Sequence, residues 1–89
     1  MLQITGPARI IEGPFFTNVD GKGERAEMVV EFSKGSTLQL ICPTYSTTQT
    51  AYQLEKGHTV HFTGYLSSYD PGVYFVKITE IHREKRSNR

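Results

Sequence analysis

"STTQTAYQLEKG", residues 46–57, lacks the alternation of apolar and polar residues that runs on either side of it. Ser46 and Gln49 stand in S-x-x-Q spacing, in which each side chain satisfies the other residue's backbone N–H at a helix start. Ala51 and Leu54, three apart, share one helical face. Lys56 falls in the last turn, and Gly57 suits the left-handed residue that closes many helices. The spacing predicts one short helix over 46–57, about two to three turns long.

The flanking segments read as strands. Residues 2–12, "LQITGPARIIE", alternate Leu2 and Ile4 with Gln3 and Thr5, and Gly6-Pro7 predicts a bulge or bend in one long strand. The glycine-rich "GPFFTNVDGKGE", 13–24, reads as a long loop or a hairpin with a flexible tip. "RAEMVVEFS", 25–33, is a second strand, "KGS" a turn, and "TLQLIC", 37–42, a third strand. After the helix come "HTVHFTGYLSS" and "VYFVKITEIHR", joined at "YDPG", with Pro and Gly in type II turn positions. The order is three strands, a helix, then two strands. This predicts an all-β architecture, a five-stranded OB-fold barrel with one short helix between strands 3 and 4. An SH3-like barrel is the alternative; the capped helix favours the OB arrangement.

The 89 residues make one domain. We expect an OB-fold domain over 1–82 and a basic, disordered tail over 83–89. A chain this short buries only about 60–65% of its unfolded surface, enough for one small core. The net charge of +1 hides a split: residues 1–82 hold six Lys/Arg against eight Asp/Glu. A protein that gripped a polyanion by charge alone would be more basic. No apolar run reaches the roughly 20 residues of a membrane span. "MLQITGPARI" lacks the pattern of a signal peptide. The lone Cys42 makes no internal disulfide and reads as a small buried hydrophobe. These features set the expectation of a cytoplasmic protein that does not engage membranes.

"AYQLEKGHTVHFTGYL" resembles the helix-to-strand passage of bacterial single-stranded DNA-binding proteins, in which Leu-x-Lys-Gly precedes a glycine-containing strand. The matching residues are Leu54, Lys56, Gly57, Phe62, Gly64 and Leu66. "VYFVKITEI" is similar to that family's last barrel strand and "LQITGPARI" to its first. The primosomal replication protein B group, close to that family, fits the short length as well or better. The resemblance implies the OB fold, binding of single-stranded DNA, a homo-oligomer (dimer or tetramer) and contact with replication proteins. Two departures stand out. The family often stacks bases on tryptophan, and this chain has none. The basic "HREKRSNR" is unlike the acidic tip through which family members recruit partners.

The aromatic residues carry the functional reading. In "HTVHFTGYL", Val60, Phe62 and Leu66 share the core face and Tyr65 the outer face. In "VYFVKITEI", Tyr74 falls with Val76 and Ile78 toward the core, and Phe75 with Lys77 and Thr79 on a polar, exposed face. Tyr69 sits at the hairpin tip. Phe15 and Phe16 occupy the first loop, and Tyr45 follows the third strand. OB folds bind strands across the strand 2–3 face, between the strand 1–2 and 4–5 loops. The expected nucleic-acid-binding set is therefore Phe15, Phe16, Tyr45, Tyr65, Tyr69 and Phe75, with Lys22, Arg25 and Lys77 meeting phosphate.

Catalysis and metal binding are not expected. His58 and His61, three apart in a strand, point to opposite faces. No nucleophile elbow or His–carboxylate pairing is present, and "GKGE", 21–24, lacks P-loop spacing. No cofactor is expected. The functional expectation is single-stranded DNA binding by stacking, in replication, recombination or repair. An RNA-binding OB protein, or an OB adaptor that binds protein, is the alternative.

Overall fold

A computed structural model describes residues 2–19, 21 and 23–84, with Val19 and Tyr69 described by backbone alone. The elements are β1 (Gln3–Val19), β2 (Gly23–Ser33), β3 (Ser36–Cys42), α1 (Tyr45–Ala51), β4 (Thr59–Asp70) and β5 (Val73–Arg83). The strands close into a barrel in the order β1-β2-β3-β5-β4. This is the five-stranded OB barrel, with its one helix between strands 3 and 4. Residues 85–89 of the expected tail lie outside the described residues.

β1 serves two neighbours. Gln3 to Arg9 pair with β4, and Arg9 to Val19 pair with β2. The register shifts between Ile10 and Glu12 and again between Glu12 and Phe15, so the strand bends there and not at Gly6-Pro7. Pro7 keeps its place opposite His61, on a stretch partnered from one side only, where a missing N–H is tolerated. Residues 13–19 form no loop; they carry β1 on into a hairpin with Gly23 to Glu27.

The helix is shorter than expected and starts earlier. Thr44 is its N-cap, accepting from the Thr47 N–H at 3.2 Å, while the Thr47 hydroxyl accepts from the Thr44 N–H at 3.3 Å. The capping box is therefore Thr44/Thr47, and Ser46 and Gln49 lie inside the helix. Beyond Ala51 the chain continues in tight turns, Gln53 N–H to the Thr50 carbonyl and Leu54 N–H to the Ala51 carbonyl. Lys56 and Gly57 lie outside the helix. Ala51 and Leu54 still bury together, because the tight turns keep both on the barrel side.

The core follows the alternation of the strands. Ala26, Met28 and Val30 of β2 face inward, and Leu40, Val60, Val76 and Ile78 meet them. Between Thr63 and Gly64 the β4–β5 register shifts, placing Thr79 and Glu80 both outside and Ile78 and Ile81 both inside. Gly72 takes φ +86°, the left-handed residue that the Asp70-Pro71-Gly72 turn requires.

Cys42 is fully buried at the end of β3. Burial pushes its thiol up to about 12, partly offset by a hydrogen bond with Thr47. The unfolded thiol ionises first, near its ordinary value of 9.0. Its contribution to stability is therefore complete below that pH and is lost as the pH rises toward about 12. Native protein at pH 8 should resist a thiol reagent, with stoichiometric labelling appearing only in denaturant. Fast labelling of the native state would contradict this burial.

Candidate nucleic-acid interface

The site arises where β3 leaves the barrel. β3 and β5 pair in parallel through Leu40↔Val76 and Ile41↔Lys77 and then separate, because Pro43 turns the chain into α1. On the other side of β5, Tyr65 pairs with Lys77 and Ser67 with Phe75. The gap is a groove of about 430 Å³ lined by Pro43, Thr44, Tyr65, Ser67, Lys77, Ile78 and Thr79. A second groove, about 240 Å³, is lined by Pro43, Tyr45, Thr48, Gln49, Gly23 and Glu24. The two meet at Pro43. The Tyr45 ring, 79% exposed, stands on one side of this junction, and the half-buried Tyr65 on the other. Lys77 is exposed and makes no ion pair among the described residues. The face thus offers flat apolar ring surfaces, hydroxyls, and one ammonium group.

The expected residues divide into groups. Tyr45, Tyr65 and Lys77 come together along these two grooves. Phe15 is 58% exposed on the β1–β2 hairpin, opposite Glu27. Phe16 is not displayed; its ring stacks on Tyr52 with centroids 4.1 Å apart and planes 5° from parallel, and it packs against the core. Arg25 is half-buried and lies 3.7 Å from the Glu27 carboxylate. Its Nε is buried without a hydrogen-bond partner. Tyr69 contributes backbone to β4, its side chain lying outside the description, as does the whole of Lys22.

Two aromatic expectations are corrected. Phe75 is 5% exposed, not displayed. β5 buries Phe75 and Val76 in succession, so at the base of its hairpin the strand is covered on both faces. Tyr74 is exposed, not core. It lies beyond the last β3 partner of β5, so its inward parity leads into no interior.

Tyr52 drew no sequence signal, because its partners lie 28 and 36 positions away. It caps the C-terminus of α1, and its hydroxyl donates to the Glu24 carboxylate. That bond, ahead of burial and the Glu24 charge, raises the Tyr52 phenol above its ordinary value. Pro43, Thr44, Ser67 and Thr79 also went unassigned; of these, only Pro43 marks its place in the sequence, by ending a strand.

The histidines differ from expectation. His58 precedes β4 and accepts from the Glu55 N–H through Nδ1 at 3.2 Å, so it does not share a strand with His61. His61 stacks on His82 and lies 3.6 Å from the Glu84 carboxylate, a His–carboxylate pair that the sequence did not reveal. Both partners are solvent-exposed. Among the described residues no group of three His, Cys, Asp or Glu is placed to hold a metal ion.

Comparison with solved structures bears on the barrel as a whole. The SSB domain of a protein from Synechococcus sp. superimposes with a TM-score of 0.81 at 20% identity, covering 92% of this chain and 94% of that one. The chain carries the fold of an SSB domain. The mitochondrial single-stranded DNA-binding protein from S. cerevisiae matches at TM-score 0.76 and 9% identity over 97% and 96% of the two chains. The small single-stranded DNA-binding protein from Streptomyces coelicolor matches at 0.69 and 16% identity, over 93% of each chain. No family model and no curated protein sequence matches the chain.

Proposed function

We propose that the protein binds single-stranded DNA non-enzymatically, stacking bases on Tyr45 and Tyr65 while Lys77 meets a phosphate. The observation that carries this reading is the pair of grooves meeting at Pro43, with one ring on each side and, between β3 and β4, a cation that makes no ion pair among the described residues. The likeness in fold to single-stranded DNA-binding proteins supports it. Phe15, on the hairpin that borders the second groove, is a third candidate ring. Handling of exposed single strands belongs to replication, recombination and repair, and we assign the protein to that class of process.

Magnitudes argue for assembly. A base stacked on an aromatic ring contributes roughly 1–3 kcal/mol. Two rings give roughly 2–6 kcal/mol, against an association cost of about 4–15 kcal/mol. Electrostatics adds little, because the body of the chain is weakly acidic. One subunit binds weakly; several copies on one strand gain affinity through effective concentration. The fold has a surface suited to this. From Gln3 to Ala8 β1 is paired on its β4 side alone. A groove of about 360 Å³, lined by Ile4, Pro7, Phe32, Leu38 and Phe62 among others, adjoins that edge. Phe32 and Leu2 are each more than half exposed.

The same edge favours a second reading, an adaptor that binds protein. Titrating the protein with oligo-dT in low salt separates the two. Tyrosine emission should be quenched, and affinity should fall with salt at a slope of only about −0.7 per phosphate contact. Solution mass should exceed one subunit. Absence of quenching and of a gel shift at micromolar protein would favour the adaptor. Competition between oligo-dT and oligo-U sets the preference between DNA and RNA.

A further inference from the structure

Tyr52 lies outside the two grooves yet holds both strands of the β1–β2 hairpin. Its ring stacks on Phe16 of β1, and its hydroxyl donates to the Glu24 carboxylate of β2. Thr48, one turn earlier on α1, donates to the Glu24 carbonyl at 3.4 Å. Because Phe16 also packs against the core, this one tyrosine links hairpin, helix and barrel. Glu24 in turn lines the groove beside Tyr45. A free carboxylate at that place opposes a passing phosphate, whereas one engaged by a phenol is fixed in position and partly screened.

We propose that Tyr52 is the positioning residue of the binding face: its ring docks the β1–β2 hairpin on α1, and its hydroxyl holds the Glu24 carboxylate off the path of a bound strand. The charge part rests on the reading of this face as a single-stranded DNA site. The docking part is independent of any ligand. The stack orders the hairpin, and so fixes Phe15 and the Glu24 wall of the groove relative to Tyr45. The hydroxyl acts separately, since Tyr52→Phe keeps the stack and removes only the bond to Glu24.

Two measurements on the full chain test the two parts. The first is amide hydrogen exchange of the ligand-free protein. Tyr52→Leu should speed exchange at residues 15–18 and 24–26 by at least about tenfold, because local opening no longer breaks a ring stack, while β4–β5 amides keep their protection. Unchanged hairpin exchange would overturn the docking. The second is oligo-dT affinity. Tyr52→Phe should weaken binding roughly two- to fivefold in low salt, the size of one exposed charge interaction. The deficit should close in high salt, where the charge is screened. Adding Glu24→Gln to Tyr52→Phe should restore the parent affinity, which a merely structural role would not allow. Parent-like binding by Tyr52→Phe, or a double variant as weak as Tyr52→Phe, would overturn the charge part. A parent protein that fails to bind oligo-dT at all would overturn the binding reading itself and leave the exchange result to decide the docking.

Discussion

Replacing Tyr45 and Tyr65 together with alanine is expected to weaken oligo-dT binding by at least about thirtyfold. The figure follows from two lost stacks at roughly 1–3 kcal/mol each, with about 1.4 kcal/mol per decade of affinity. Tyr45 is almost fully exposed and Tyr65 faces the outside of β4. Their loss leaves the barrel interior intact, and melting should stay within a few degrees of the parent. Each single variant should show about half the loss in free energy. Fluorescence anisotropy with a labelled oligonucleotide measures all three. A double variant that binds like the parent would mean that the strand, if bound, runs elsewhere.

The largest effect on stability is expected at Gly64. β4 passes so close to β5 there that a Cβ would lie 2.6 Å from Val76 Cγ1 and closer still to the Lys77 carbonyl oxygen. The oxygen belongs to the ladder itself and cannot withdraw without parting the strands. Gly64→Ala should therefore cost about 1–3 kcal/mol, the usual range for an overpacked interior, and Gly64→Val more. For a domain of this size each kcal/mol lowers Tm by roughly 4–8 °C. Thr37→Ala, on the exposed side of β3, should stay within about 0.5 kcal/mol of the parent. Thermal melts followed by circular dichroism compare them. An unchanged Tm for Gly64→Ala would mean that β4 and β5 are not pressed together at this point.

The barrel was legible because its strands alternate and a non-alternating segment interrupts them after the third. Val60, Phe62 and Leu66 read inward from period alone, and all three pack in or against the core. Boundaries were less legible. "TYSTTQT" offers two overlapping cap spacings, and Thr44/Thr47 prevails over Ser46/Gln49 because the paired threonine hydroxyls satisfy both backbone groups. Alternation states which side of a strand a residue takes but not whether anything covers that side. Tyr74 therefore read as core and is exposed, whereas Phe75 read as exposed and is buried. Gly13 to Val19 read as either loop or hairpin, since glycine content does not reveal that a partner strand lies opposite. Of the residues along the two grooves, Tyr45, Tyr65 and Lys77 were expected, from strand position and from where OB folds bind strands. The clamp on Phe16 was not, because the stack joins residues 36 positions apart with nothing local to announce it.

Mapping oligo-dT onto the isotopically labelled protein by NMR tests the central claim most directly. The account predicts that the largest shift changes fall at Thr44, Tyr45, Tyr65, Ser67, Lys77 and Thr79, along the two grooves that meet at Pro43. Shift changes confined to the β1 edge near Ile4 and Phe32, or none at saturating oligonucleotide, would contradict it.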